Sequence, residues 1–147
     1  MFGKQRPSSY IALFRCRGGY VVTRGSIFKI TEGVYAYVGS CGNHCSARIV
    51  RHLHKVNVKH WHVDYLHDIC DELAVVVLPY DEGNVARAML GSFEGVPGFG
   101  NSDRREDKTH LFRVGSFNED IIEVVLLIKR VIDESLRKRD LINDSTP

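Results

Sequence analysis

The chain has 147 residues, 44% of them hydrophobic and 26% charged, a composition typical of globular domains that excludes a collagen-like or low-complexity chain. This length suffices for one domain with its own core, which we place at residues 1–147 with loose tails at 1–8 and 143–147. The net charge is only +2, but residues 1–63 carry +9 (ten bases, one acid) and residues 64–147 carry −7 (ten bases, seventeen acids). The basic half favours a polyanionic partner such as nucleic acid, unless the two halves neutralise each other in the fold.

The first forty residues read as short apolar strands separated by glycine-containing turns, which predicts an antiparallel meander. The predicted strands are Tyr10 to Arg15, Tyr20 to Thr23, Ile27 to Ile30 and Val34 to Val38. A loop then leads to a helix from about His44 to Lys55. We expect its buried face to consist of four apolar residues, Ala47, Ile49, Val50 and Leu53.

The second half alternates strands and helices. We predict, in order, an extended or helical piece at His60 to Leu66, an acidic turn at Asp68 to Glu72, a buried strand at Leu73 to Leu78, a helix at Glu82 to Leu90, a glycine-rich loop at Gly95 to Asp107 and a strand at His110 to Val114. The last helix follows a capping-box pattern, Ser116 to Glu119. The expected fold is α+β, a small, mostly antiparallel sheet of three to five strands flanked by helices.

The chain contains four cysteines, Cys16, Cys41, Cys45 and Cys70. The N-terminal residues lack the apolar segment of a signal peptide, and no apolar run is long enough to cross a bilayer. We therefore expect a cytoplasmic protein without a membrane partner, and free thiols. Cys41, His44, Cys45, His67 and Cys70 could alternatively form a zinc site, although their spacing is irregular for one.

One strand–loop–helix segment combines residues suited to phosphodiester chemistry. Tyr37 ends a strand, and Arg48 and His52 share one face of the next helix at a spacing of four residues. Arginine can bind a phosphate and stabilise the charge that grows on it, and a histidine or tyrosine can take a proton from an attacking water. The alternative is that Tyr37 is a core aromatic residue and the helix face is merely solvated.

The segment His60 to Asp64 allows three interpretations. If it is a strand, His60, His62 and Asp64 face the same way and could bind a metal together with His52 or His54. The cluster could instead be structural, with Asp64 orienting a histidine. It could also contact phosphate while Trp61 stacks on a base.

Five segments, taken together and in this order, resemble the Uri-type family of GIY-YIG-like proteins, once catalogued as a domain of unknown function. They are GVYAYVGS at 33–40, ARIVRH at 47–52, HWHVDYL at 60–66, GFGNSD at 98–103 and HLF at 110–112. The resemblance covers residues 10 to about 114. The first motif reads Ser9-Tyr10-Ile11 where the family pattern is Gly-Ile-Tyr.

The resemblance implies metal-dependent cleavage of DNA and assigns a role to several residues. The catalytic group would be Tyr10, Tyr37, Arg48 and His52, with His52 near the attacking water. Glu82, which begins a predicted helix, would hold one Mg²⁺ or Mn²⁺, with Glu72 as the second candidate. The residues expected to contact the substrate are Arg51, Lys55, Lys59, His60, Trp61, His62, Asp64, Ser102, Asp103 and His110.

The leading hypothesis is therefore an endonuclease that hydrolyses DNA phosphodiester bonds with a divalent metal and needs no small-molecule cofactor. The alternative is a nucleic-acid-binding module on the same scaffold without robust cleavage. A third class is a structural or partner-binding protein, in which the apolar C-terminal helix could form a homodimer surface.

Overall fold

The computed structural model describes residues 6–54, 59, 61–100 and 107–144. The strands are β1 (Ser9–Cys16), β2 (Gly19–Val22), β3 (Ile27–Ile30), β4 (Gly33–Ser40), β5 (Cys70–Leu78), β6 (Glu94–Gly95) and β7 (Leu111–Gly115). The helices are α1 (Cys45–Leu53), a 3-10 helix (His62–Asp68), α2 (Glu82–Leu90) and α3 (Ile121–Asp144). The main sheet has the order β5-β1-β4-β7-β6 with every neighbouring pair antiparallel, so the expected α+β fold is confirmed.

The predicted meander is wrong, because β1 pairs with β4 and β5 while β2 and β3 pair with each other as a separate hairpin. Strands β1 and β4 are buried along nearly their whole length, as strands covered on both faces must be. The hairpin instead exposes Tyr20, Val22 and Ile27. Strands β1 and β4 therefore lie inside the sheet. The prediction of a buried strand at Leu73 to Leu78 is wrong, because β5 lies at the edge of the sheet and leaves Leu73 and Val77 exposed.

The sheet separates two hydrophobic cores, and alternate residues of β1 point into each. Tyr10, Ala12 and Phe14 belong to the core that also contains residues of the 3-10 helix. Ile11 and Leu13 belong to the other core, which α2 and α3 cover. We call the first side the front face and the second side the back face.

Helix α1 buries a different face from the one predicted. Ala47 and Val50 are exposed, Ile49 is partly buried, and the side chain of Leu53 lies outside the described residues. His52 is buried, with 6% of its surface exposed. The face of α1 that carries His52 points inward because Tyr10 lies below it, and the Tyr10 hydroxyl gives the buried imidazole a hydrogen-bond partner.

Two smaller predictions about local structure are also wrong. The acidic turn does not form, because β5 begins at Cys70 and pairs Asp71 and Glu72 with β1. The cap of α3 is Asp120, whose carboxylate accepts from Ile122 N at 2.9 Å, and Ser116 lies farther upstream. The N-terminal tail is tied down at Ser8, whose backbone bonds to β5 and to Cys41, while residues 143–144 continue α3. Residues 1–5 and 145–147 lie outside the described residues.

The cysteines form two disulfides, so the prediction of free thiols is wrong. Cys16 and Cys70 are directly opposite each other in the β1–β5 pair, with their Cα atoms 4.1 Å apart. Cys41 and Cys45 join the end of β4 to the start of α1, with a Cα separation of 4.2 Å. Among the described residues, no helix combines the length and the apolar character needed to cross a bilayer.

Candidate functional site

The site lies at the end of the sheet where β1 begins. Ser9 pairs with Ser40 at the end of β4 and with Leu78 at the end of β5, and β7 starts nearby, opposite Tyr37. Helix α1 follows β4, helix α2 follows β5, and His110 directly precedes β7. The antiparallel pairing therefore brings together residues that are up to 100 positions apart in the sequence.

These elements surround one cleft, whose volume is about 570 Å³ when the open space at its mouth is included. Many of its lining residues are among those the sequence predicted, namely Tyr10, Tyr37, Arg48, Arg51, His52, Trp61, Asp64, Glu82 and His110. Ser40, Val63 and Gly100 also line it and were not predicted. Their contributions depend on pairing and loop geometry, which leave no local signal in the sequence.

Tyr10 lies across the strand from Gly39, and the glycine is what allows its ring to lie there. A Cβ atom on residue 39 would be 2.2 Å from Cζ of Tyr10, far inside van der Waals contact. The glycine of the Tyr37-Val38-Gly39 motif thus has a steric role toward the neighbouring strand. It places the Tyr10 hydroxyl below helix α1.

The Tyr10 hydroxyl lies 2.9 Å from Nε2 of His52, and the two rings meet edge to face. Burial raises the pKa of Tyr10 well above its ordinary value. Arg48 opposes this shift, and the carboxylates of Glu72, Glu82 and Asp64 add to it. Tyr10 is therefore a neutral phenol at physiological pH, and it acts as a hydrogen-bonding group rather than as a phenolate base.

Tyr37 is buried beside this pair, with its ring centroid 6.5 Å from that of His52. Gly100 approaches it with a φ of 73°, and a Cβ there would be 2.7 Å from the tyrosine ring. A left-handed glycine thus closes the loop over Tyr37. The sequence left open whether Tyr37 is a core residue or a site residue, and it is both, since it belongs to the front core and lines the cleft.

Arg48 and Arg51 flank the exposed indole of Trp61. Their guanidinium carbons are 5.7 and 5.1 Å from its ring, within cation–π range. Arg48 also donates through Nη1 to the Ser40 carbonyl, which fixes the side chain against the end of β4. Guanidinium has five N–H donors, and within the described residues Ser40 accepts from one of its nitrogens. The remaining donors can face a phosphate in the cleft.

Asp64 fixes Arg51 and the backbone of Trp61 through hydrogen bonds. Its Oδ2 accepts from Arg51 Nη2 at 2.7 Å and from Trp61 N at 3.0 Å. Residues 62–68 form a 3-10 helix rather than a strand, so the alternation proposed for His60, His62 and Asp64 does not apply. Of the three interpretations, the structural one describes Asp64 best, although it orients an arginine and not a histidine.

Glu82 enters the cleft from the first turn of α2 and pairs with His110. Its Oε2 is 3.7 Å from His110 Nδ1, and the Glu82 side chain is 15% exposed. The other ring nitrogen of His110 lies 2.8 Å from Asp107 Oδ2. Asp107 was not predicted as a site residue. Its position three residues before His110 was the one signal that could have identified it.

Next to the cleft, His52 also belongs to a second group of polar side chains. Its Nδ1 is 3.2 Å from Glu72 Oε1, and His67 Nε2 is 3.3 Å from Glu72 Oε2. Glu72 is therefore not in the cleft with Glu82. The zinc alternative based on cysteines is not supported among the described residues, because all four cysteines are in disulfides.

Two of the predicted substrate contacts point elsewhere. Lys59 pairs with Asp68 at 2.6 Å and lies over the ring of Tyr65. His62 accepts a hydrogen bond from Gly100 N at 2.9 Å and packs between Phe28 and Phe99, so it supports the cleft from below. Four further predicted residues lie outside the described residues: Lys55, His60, Ser102 and Asp103.

The sequence matches a family model over residues 9–132, a range from the first residue of β1 into α3. The chain belongs to the family described as Domain of unknown function DUF123. The DUF123 match takes in every residue described around the cleft, from Tyr10 to His110. No curated protein and no solved structure matches the chain.

Proposed function

We propose that this protein is a GIY-YIG-like endonuclease that hydrolyses DNA phosphodiester bonds with a divalent metal. The observation that supports the proposal is the convergence of two tyrosines, an arginine, a histidine and a carboxylate on one cleft. These are the residues that the resemblance to GIY-YIG enzymes singles out, namely Tyr10, Tyr37, Arg48, His52 and Glu82. They come from four separate elements of the fold.

Glu82 fits the place of a metal ligand. It presents an oxygen donor at the cleft wall, and a single carboxylate combined with substrate phosphate oxygens is a usual environment for Mg²⁺ or Mn²⁺. When bound, such an ion would lower the pKa of a water molecule and stabilise the charge on the phosphate. His110 lies beside this carboxylate, with its Nδ1 3.7 Å from Glu82 Oε2, and it is itself fixed because Nδ1 donates to the Val38 carbonyl at 3.1 Å.

The other cleft residues would bind and orient the phosphodiester. Arg48 is fixed by Ser40 on one side and by Trp61 on the other, so its guanidinium is preorganised to receive a phosphate oxygen. The Tyr10 hydroxyl, kept neutral by burial, would hold the attacking water through a hydrogen bond. His52 is almost fully buried and would act on that water through Tyr10, by fixing its hydroxyl.

Replacing Arg48 with alanine tests the proposal. We expect Mg²⁺- or Mn²⁺-dependent cleavage of DNA to fall about 10²- to 10³-fold, as when a single preorganised donor to a transition-state charge is removed. The matched control is Arg24→Ala, which removes the same charge from an exposed position in the β2–β3 turn. It should cleave at the rate of the unchanged protein. Full activity of Arg48→Ala, with its fold checked by circular dichroism, would rule the mechanism out.

The second candidate is a nucleic-acid-binding module without cleavage. Trp61 favours it, because an exposed indole beside Arg48 can stack on a base while the guanidinium binds a phosphate. In this case DNA affinity should fall steeply with salt, Trp61→Ala should weaken it, and no metal-dependent product should appear. Neither binding nor cleavage at low salt would exclude both candidates.

A further inference from the structure

A second cluster of polar residues lies next to the cleft on the front face of the sheet. It consists of His52, His67 and Glu72, which is the composition of a transition-metal site. One ligand atom from each residue can be chosen so that the three lie within 4.8 Å of one another. The exposed fractions of the side chains are 6% for His52, 13% for His67 and 7% for Glu72. The three side chains are thus largely buried, and His67 and Glu72 do not line the cleft that contains Glu82.

Glu72 is the observation that points to a ligand. Both of its carboxylate oxygens are buried, and among the described residues neither has a hydrogen-bond partner. The two imidazoles come within 3.2 and 3.3 Å of these oxygens without the alignment that a hydrogen bond requires. A buried carboxylate without hydrogen bonds is costly, and a cation held between the three residues would offset this cost.

The separations also fit a metal. Ligands bound at about 2.0–2.1 Å in a tetrahedral arrangement lie about 3.3 Å from one another. The two nitrogen–oxygen distances in the cluster, 3.2 and 3.3 Å, are close to this value, although each involves a different oxygen of Glu72. With one oxygen chosen as the ligand, all three ligand atoms lie within 4.8 Å of one another, so a small adjustment of the side chains would bring them around one ion. Two imidazole nitrogens and one carboxylate suit a borderline cation better than Mg²⁺, which prefers oxygen ligands alone.

The backbone directs Glu72 toward this cluster through an irregularity in the β1–β5 pairing. The register shifts between Leu13 and Phe14, so that Leu13 pairs with Ala74 and Phe14 pairs with Glu72. Without the shift, Leu73 would lie opposite Phe14 and Glu72 would point to the back face. Instead Leu73 is 38% exposed, and the Glu72 carboxylate lies on the front face with both histidines. Bulges commonly re-aim a side chain in this way.

We propose that His52 Nδ1, His67 Nε2 and a Glu72 oxygen bind one divalent transition cation of the zinc class, with water as the fourth ligand. Metal on Nδ1 leaves the ring proton on Nε2, which then donates to the Tyr10 hydroxyl. Such a hydrogen bond from a metal-bound histidine to an outer partner is a common feature of metal sites. The metal site would therefore fix the Tyr10 hydroxyl through His52, whereas Glu82 would bind a different ion in the cleft.

Calorimetric titration of the chelator-treated, disulfide-intact protein with Zn²⁺ tests the proposal. We expect one Zn²⁺ per chain, a higher Tm with the metal, and no comparable binding of Mg²⁺ to this cluster. His67→Gln and Glu72→Gln should each weaken Zn²⁺ binding at least about tenfold, and Tyr10→Phe should weaken it about 10- to 100-fold while the ligands stay in place. The matched control is His54→Gln, an exposed histidine of the same helix region.

Two further readouts keep the test decisive. Circular dichroism of the metal-free variants shows whether they fold, and Co²⁺ bound in place of Zn²⁺ reports its ligands through visible absorption. The proposal fails if the unchanged protein binds no Zn²⁺, if His54→Gln weakens binding as much as His67→Gln, or if Co²⁺ shows thiolate charge-transfer bands. No DNA is present in the titration, so the result does not depend on the nuclease proposal and can hold when cleavage is absent.

Discussion

His62 lies below the cleft, where its surroundings determine its charge. Its Nδ1 accepts a hydrogen bond from Gly100 N, which requires that this nitrogen carry no proton. Burial against Phe28 and Phe99 lowers the pKa of His62 below its ordinary value of 6.5. Protonation would break the bond that holds the Gly100 loop over Tyr37.

This arrangement predicts a pH dependence of stability. Because the folded pKa is lowered, the unfolded chain binds more protons below about pH 6.5, and the free energy of unfolding falls as the pH decreases through that range. His62→Gln, which keeps an acceptor but does not titrate, should show a shallower decrease between about pH 6.5 and 5. Urea unfolding at several pH values measures this. Equal slopes in His62→Gln and the unchanged protein would contradict the assignment, and His54→Gln serves as the control.

At this scale the sequence indicated residue types but not their partners. The spacing of Arg48 and His52 placed both on one face of α1, and both do line the cleft. The hydrogen bond between His52 and Tyr10 joins residues 42 positions apart, and the pairing of Arg51 with Asp64 depends on how the 3-10 helix is placed. Such contacts follow from tertiary packing and leave no local pattern.

Helix α3 shows how an element's boundary depends on which of several capping residues is used. Asp120 accepts from Ile122 N through its side chain and from Val124 N through its carbonyl, which makes it the residue that starts the helix. Ser116 Oγ instead bonds to the Glu119 carboxylate in the preceding turn. Serine and aspartate are both good caps, so the sequence alone could not choose between them.

The choice of cap can be measured. Asp120→Ala should lower the free energy of unfolding by about 1 kcal/mol, because it leaves a helix N–H without its acceptor and removes a negative charge from the N-terminus. Ser116→Ala should cost clearly less. Chemical denaturation of both variants gives the comparison. A larger loss for Ser116→Ala would restore the capping box predicted from the sequence.

Elements whose first and last residues are marked by clear start and stop signals were predicted well. Helix α2 begins at Glu82 and ends at Leu90 as expected, because Asp81 caps it and Gly91 follows it. The order of the strands could not be predicted, since each strand has an apolar pattern that is compatible with several neighbours. The register shift that redirects Glu72 is likewise a property of the β1–β5 pair and not of either strand.

At the level of the whole molecule, the charge asymmetry of the sequence is partly cancelled by pairs that join the two halves. Arg51 pairs with Asp64 and Lys59 pairs with Asp68, which supports the neutralisation interpretation for those side chains. Arg48 remains at the cleft with its guanidinium over Trp61. The nucleic-acid partner that we propose therefore depends on the composition of the cleft more than on the overall charge.

The two disulfides should differ in their contribution to stability. Cys16–Cys70 spans 54 positions and Cys41–Cys45 spans four, and chain entropy alone gives about 4 kcal/mol for the longer loop and about 2 kcal/mol for the shorter one. The double alanine variant of the first pair should lose more stability in urea than that of the second. Four reactive thiols in the denatured, unreduced protein would contradict both pairings, and equal losses would contradict the ranking.

The two-sided burial of the central strands limits where the length of the chain can change. Strands β1 and β4 contribute alternate residues to both cores, so one backbone serves the cleft in front and the helices behind. Insertion or deletion of one residue in either strand would exchange the two sets of side chains at once. Changes of length are therefore excluded from these strands. The turn between β2 and β3 is different, because residues 24–26 are exposed and lie outside the main sheet, so a change of length there would leave the cleft undisturbed.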